Sequence, residues 1–178
     1  MGIKESDFVI GVVGWRLDTE ITVEFLEMLK DVKDKNTKAV VVGKWEDYTK
    51  LADGHTWFRE YVLYLGYCED VLARLELCDL YVNPMRKGGG TSCVEAMYKG
   101  VPVVSIDYGD VAGIAGREFT CKDYEEMKKI IGRYRTDKIF WKEQSERARV
   151  TADRWMNLGE EFERCIDVYR QRFSHYEK

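Results

Sequence analysis

Short apolar runs alternate with amphipathic stretches along most of the chain. Phe8-Val9-Ile10-Gly11-Val12-Val13-Gly14 is a β-branched run closed by glycine, the pattern of a strand buried on both faces. From Glu20 to about Lys33 the apolar residues Ile21, Val23, Phe25, Leu26, Met28, Leu29 and Val32 include helical spacings, which predict a helix. Residues 39–43 read as a second buried strand and 61–66 as a third, followed by a helix over about 69–77. A fourth strand over 80–82 is stopped by Pro84, and a helix over 91–99 follows. Residues 101–106 predict a fifth strand, with Pro102 at its entry, where a missing ladder donor costs least. A short sixth strand is expected at 118–121. From Asp123 the pattern is helical to the end of the chain, in three pieces broken near Thr136-Asp137 and Asn157-Leu158-Gly159.

Strands that alternate with helices, each strand apolar throughout, specify a parallel sheet covered on both faces. The expected fold is therefore α/β and Rossmann-like. It is a doubly wound parallel sheet of about six strands with helices on both faces, in a single domain over 1–178 with a helical C-terminal tail over about 123–178. Composition agrees: 178 residues, 45 % of them hydrophobic, can bury one sizeable core. At 34 % charged residues, with no apolar run near the roughly 20 needed to span a bilayer, neither disorder nor a membrane span is expected.

The first residues lack the apolar core of a secretory signal, so cytoplasmic residence is expected. Five cysteines, odd in number and without C-x-x-C spacing, read as free thiols used as small core residues. A net charge of -4 disfavours nucleic acid and anionic membranes as partners. The charge is uneven: residues 121–178 hold 14 Lys+Arg against 12 Asp+Glu, leaving 14 against 20 for residues 1–120. An anion bound in the first part must be held by a local site.

In such sheets, ligands bind beyond the carboxyl ends of the strands, near the switch point of strand order. The residues there are Gly14-Trp15-Arg16, Gly43-Lys44, Gly66-Tyr67, the run from Pro84 to Gly90, and Tyr108-Gly109-Asp110. Gly88-Gly89-Gly90 leads into a helix whose first turn has unpaired N–H groups and a positive dipole end, a cradle for phosphate. Thr91 or Ser92 is placed to cap that helix or bond a phosphate, and Arg86 and Lys87 add charge. Glu95, one turn on, is placed to accept two ribose hydroxyls. The run is neither G-x-x-x-x-G-K-[ST] nor G-x-G-x-x-G, so a P-loop nucleotidase and the usual dinucleotide fingerprint are not supported.

These residues resemble the carboxyl-terminal, donor-binding half of GT-B glycosyltransferases, in particular the retaining-type group related to the glycosyl transferases group 1 family. The most specific part is Gly88-Gly89-Gly90-Thr91-Ser92-x-x-Glu95-Ala96-Met97-x-x-Gly100-Val101-Pro102-Val103-Val104, with support from Gly14-Trp15-Arg16-Leu17, Leu65-Gly66-Tyr67 and the strand 78–84. The resemblance implies that Glu95, second glutamate of the family's E-x7-E motif, binds ribose, and that Arg16 meets the diphosphate. It places Gly14, Tyr67, Gly88, Gly89, Gly90, Thr91 and Ser92 around the donor, with Tyr67 near the base, and gives Arg16 a catalytic role; from their placement alone, Arg86 is expected to add charge at the donor and Lys87 to join Arg16 in catalysis. Two positions depart: Lys87 stands where the first glutamate is expected, and Ile21 where the second residue of the R-x4-K pair is expected.

The resemblance implies a hexosyltransferase-like enzyme that moves sugar from a nucleoside diphosphate sugar, UDP-linked first, with no metal or other cofactor. Its acceptor-binding N-terminal domain is absent from this chain, which alone is expected to be inactive. The alternatives are a non-catalytic regulatory or scaffolding domain of the same fold and a UDP-sugar epimerase of GT-B fold.

Overall fold

The computed structural model describes residues 2–156 and 158–173. In chain order the elements are β1 (Phe8–Gly14), α1 (Leu17–Glu20), α2 (Val23–Val32), β2 (Thr37–Gly43), α3 (Tyr48–Gly54), α4 (Thr56–Tyr61), β3 (Val62–Gly66), α5 (Val71–Leu75), β4 (Leu80–Asn83), α6 (Gly90–Tyr98), β5 (Val103–Ile106), α7 (Gly109–Ala115), β6 (Thr120–Cys121), α8 (Tyr124–Thr136), α9 (Lys138–Met156) and α10 (Leu158–Phe173). The strands form one sheet in the order β3-β2-β1-β4-β5-β6, parallel at every pairing. β1 and β2 pair over seven residues, from Phe8 opposite Thr37 to Gly14 opposite Gly43. The order reverses between β1 and β4, which puts the switch-point crevice above Gly14 and Asn83.

Because side chains alternate across a strand, each strand serves two cores. Ile10 and Val12 of β1 with Ala39 and Val41 of β2 face a cluster completed by Phe25, Met28 and Leu29 of α2, Phe58 of α4, and Met127 and Ile131 of α8. Val9, Val13, Val40 and Val42 face the opposite cluster, completed by Leu75, Cys93, Ala96, Met97, Val111, Ala148 and Ala152 from α5, α6, α7 and α9. This two-sided burial is the doubly wound arrangement expected from the apolar runs.

Several boundaries differ from the sequence reading, each for a local reason. The helix expected from Glu20 is two pieces, because the Thr22 hydroxyl accepts the Phe25 N–H and starts α2 afresh. α3 and α4 carry no period that announces them, and Tyr61 ends α4 rather than opening β3. What holds them is an aromatic cluster of Trp45, Tyr48, Phe58 and Tyr64 with ring centroids 4.7–6.1 Å apart. β5 starts at Val103, since the Gly100 and Val101 N–H groups close the end of α6 onto Met97 and Ala96. The tail breaks at Asp137, between α8 and α9, as expected, while the break expected near Asn157 and residues 174–178 fall outside the described residues. Cys78, Cys93 and Cys121 are buried and Cys68 partly so, but Cys165 is exposed on α10, which contributes to neither buried cluster. Among the described residues no helix is long and apolar enough to cross a membrane.

Candidate functional site

Above the switch point a cavity of about 900 Å3 opens between the ends of β1 and β4 and the helices beyond them. Gly14, Trp15 and Arg16 form one wall, Gly89 to Ser92 with Glu95 another, and Asp110, Ile114 and Trp155 a third.

The first wall is held by α1 and its flanks. The Leu17 N–H donates to the Lys44 carbonyl (3.1 Å), tying the end of β1 to the end of β2. The Asp18 carboxylate accepts the N–H groups of Asp47 (2.9 Å) and Glu46 (3.1 Å), and the Asp47 bond chiefly holds its pKa below the ordinary value. Arg16 is thereby fixed at its backbone while its exposed guanidinium makes no side-chain hydrogen bond or ion pair among the described residues. Of the two arginines that line the cavity, it is the one with no partner among the described residues, and so is free to receive an anion. Lys44 is paired with Glu46 (2.9 Å) instead.

Arg86 lines the cavity from below and is already paired. Only 7 % exposed, it lies beneath the glycine run, ion-paired with Glu20. Nε donates to Asn83 Oδ1 (2.8 Å), and Nη2 to the Val13 carbonyl (2.5 Å) and the Tyr81 hydroxyl (3.2 Å). One guanidinium thus joins the ends of β1 and β4 to α1, and its charge is answered by Glu20. Glu20 carried no signal in the sequence beyond being an acid near a helix start.

Two glycines accept geometry that other residues would not. Gly89 has φ +105°, and a Cβ there would come 2.7 Å from Asn83 Oδ1 and 2.8 Å from Arg86 Nη2. Gly109 has φ +75°, and a Cβ there would come 2.5 Å from the Arg86 carbonyl oxygen and 2.6 Å from that of Lys87. Gly89, not Thr91 or Ser92, is the N-cap of α6, with no side-chain capping bond. The first bond of that helix runs from the Cys93 N–H to the Gly89 carbonyl (3.0 Å), so the N–H groups of Gly90, Thr91 and Ser92 precede it. All three residues line the cavity.

Glu95, one turn further, faces the same space, half-buried and without a side-chain partner among the described residues. Burial raises its pKa above the ordinary glutamate value. Trp15 also lines the cavity and is 64 % exposed. Tyr67, 65 % exposed, meets Trp15 edge to face at 5.5 Å but does not itself line it. Gly88 and Lys87 are likewise outside the lining, the Lys87 side chain turned to solvent. Trp45, by contrast, is core at 4 % exposure.

The lining also includes residues that the sequence did not single out: Leu72, Val94, Tyr98, Ile114 and Met156. Trp155 is there too, its Nε1 donating to the Ile114 carbonyl (3.2 Å). Long-range folding collects them, and no local motif marks them. Among the described residues, no group of three or more His, Cys, Asp or Glu side chains is placed to hold a metal ion.

Residues 1–151 match the glycosyl transferases group 1 family. No curated protein matches the chain by sequence. Solved structures with the same fold include TarM of S. aureus, in complex with fondaparinux, alpha-GlcNAc-glycerol and UDP. It is 19 % identical at a TM-score of 0.76 over 94 % of this chain and 37 % of that one. HepE of Anabaena, in complex with UDP, is 18 % identical at a TM-score of 0.75 over 93 % of this chain and 49 % of that one. The C-terminal domain of the group 1 protein LpcC of Francisella tularensis is 17 % identical at 0.67, over 82 % of this chain and 84 % of that one. The chain therefore spans less than half the length of TarM and of HepE.

Proposed function

Because this chain belongs to the glycosyl transferases group 1 family, we propose that it is the donor-binding part of a cytoplasmic glycosyltransferase and binds a UDP-sugar. The observation that carries this reading is the α6 N-terminus. Gly90, Thr91 and Ser92, whose N–H groups precede the first helical bond, line one cavity with Arg16 and Glu95, whose side chains have no partner among the described residues. The N–H groups and helix dipole receive the diphosphate, Arg16 neutralises it, and Glu95 accepts the ribose hydroxyls. Trp15, with Tyr67 braced against it, lies beside the nucleoside end.

In transfer, the bond from the sugar's anomeric carbon to the diphosphate breaks and negative charge grows on the leaving phosphate. Donors already held in place stabilise that charge without reorganising. Arg16 and the N–H groups at the start of α6 do this, with no metal, while Lys87 adds charge only at the rim. An acceptor domain preceding this chain supplies the other wall of the cleft, so these residues alone bind the donor and transfer nothing.

Calorimetric titration with UDP, GDP and ADP tests the reading. UDP is expected to bind in the micromolar to millimolar range, with Arg16→Ala and Glu95→Ala each weakening it about tenfold, near the 1.4 kcal/mol that such a charged contact is worth. Absence of any nucleotide site would sink it. That outcome would favour a second reading, a non-catalytic domain of the same fold, which Lys87 and the partly buried Ile21 support by removing two charges expected around the donor.

A further inference from the structure

Three carboxylates line the cavity, and they differ in what is left for them to do. Glu20 is ion-paired with Arg86. Glu95 projects from the second turn of α6. Asp110 is exposed and has no side-chain hydrogen bond or ion pair among the described residues. Its main chain is nevertheless fixed, because its N–H donates to the Lys87 carbonyl (2.7 Å). Its Cβ lies 3.5 Å from the point where a Cβ on Gly90 would sit, so the Asp110 side chain starts beside the first residue of α6, and it lines the same cavity.

Along the cavity the order is then Glu95, the N–H groups of Ser92, Thr91 and Gly90, and Asp110. Glu95 lies five residues beyond Gly90, about 7 Å along the helix axis at the usual rise. A nucleoside diphosphate sugar has the same order of parts: ribose, diphosphate, sugar. With ribose at Glu95 and diphosphate at the helix start, the sugar emerges on the Asp110 side.

We propose that Asp110 is a specificity-determining residue whose carboxylate accepts hydroxyl hydrogen bonds from the donor sugar, selecting neutral hexoses and repelling hexuronates. This rests on the UDP-sugar reading of the same cavity. An ionised carboxylate only accepts hydrogen bonds, and a pair of neighbouring sugar hydroxyls matches its two oxygens. A second carboxylate on the sugar would face it as a like charge. Glycine at 90 keeps the approach open, since a side chain there would press on Ile114 Cδ1 at 2.7 Å and fill the space beside Asp110.

The test is calorimetry of the chain and its Asp110→Asn and Glu95→Gln variants with UDP, UDP-glucose, UDP-galactose, UDP-N-acetylglucosamine and UDP-glucuronate. Asp110→Asn is expected to leave UDP affinity within twofold, weaken the tightest neutral UDP-hexose five- to twentyfold, and bind UDP-glucuronate more tightly than the unaltered chain does. Glu95→Gln is expected to weaken UDP and the UDP-hexoses alike. If Asp110→Asn changes UDP and UDP-hexoses equally, or changes neither, Asp110 makes no sugar contact and the proposal falls while the donor site stands. If the unaltered chain binds no uridine nucleotide, the donor reading fails and takes this one with it.

Discussion

At the scale of single residues, the sequence drew attention to charges, and the structure divides those charges by what surrounds them. Arg86 and Lys87 are neighbours in sequence, yet one is buried under four hydrogen-bonding partners and the other is in solvent. Removing one member of a buried pair strands the other, at about 3–5 kcal/mol. Arg86→Ala is therefore expected to lower stability in urea denaturation by that amount, and Lys87→Ala by less than about 0.5 kcal/mol, as for other surface positions. Glu95 carries a pH signature. To accept ribose hydroxyls it must be ionised, and burial raises its pKa, so UDP affinity is expected to fall on acidification at a higher pH than an ordinary glutamate titrates. Comparison with Glu95→Gln isolates that fall from the titration of UDP itself. The folding sign is opposite. A raised native pKa gives Glu95 a stabilising contribution below the ordinary glutamate pKa that is lost as pH rises through the raised value. Glu95 and Arg16 were legible because both sit at fixed offsets from glycines in a motif. The pairing of Glu20 with Arg86 was not, because the two are 66 positions apart.

At the scale of elements, the glycines at strand ends decide how closely the chain crosses itself. Gly43 has φ +132°, and a Cβ there would overlap the Gly14 carbonyl oxygen on the neighbouring strand. Gly43→Ala combines a strained backbone with overpacking and is expected to cost about 2–4 kcal/mol. Because it pushes on the wall that carries Arg16, it is also expected to weaken UDP binding. Thermal unfolding and titration of the same variant check both; UDP affinity unchanged in a destabilised Gly43→Ala would show that the two strand ends are not coupled to the site. Continuous β-branched runs made β1 and β2 readable, since strands buried on both faces need no polar alternation. α3 and α4 escaped because their order comes from aromatic rings gathered from residues 45 to 64 rather than from a helical stripe.

At the scale of the whole molecule, two cores flank one sheet, and the thiols report on them. Burial pushes Cys78 and Cys93 each up to about 12, and Cys121 likewise, so little thiolate is present at neutral pH. Cys165 is exposed. Alkylation followed by peptide mass spectrometry is expected to label Cys165 first, Cys68 next, and the other three only on unfolding. Prompt labelling of Cys93 would mean that α6, and with it the candidate phosphate cradle, opens readily. The alternation of apolar runs and amphipathic stretches was enough by itself to determine the parallel α/β sheet, its two-sided cover and the glycine-rich turn at a strand end. Those follow from local periodicity and from what a buried strand must be made of. Only the tertiary structure decided which of the charges at the strand ends are already paired. Packing pairs Arg86 with Glu20 in the cavity lining, leaves Lys87 outside, and brings Trp155 to a wall of the space that Arg16 and Glu95 begin. A side chain's direction and its partner depend on elements far away in sequence, and no local pattern encodes that meeting.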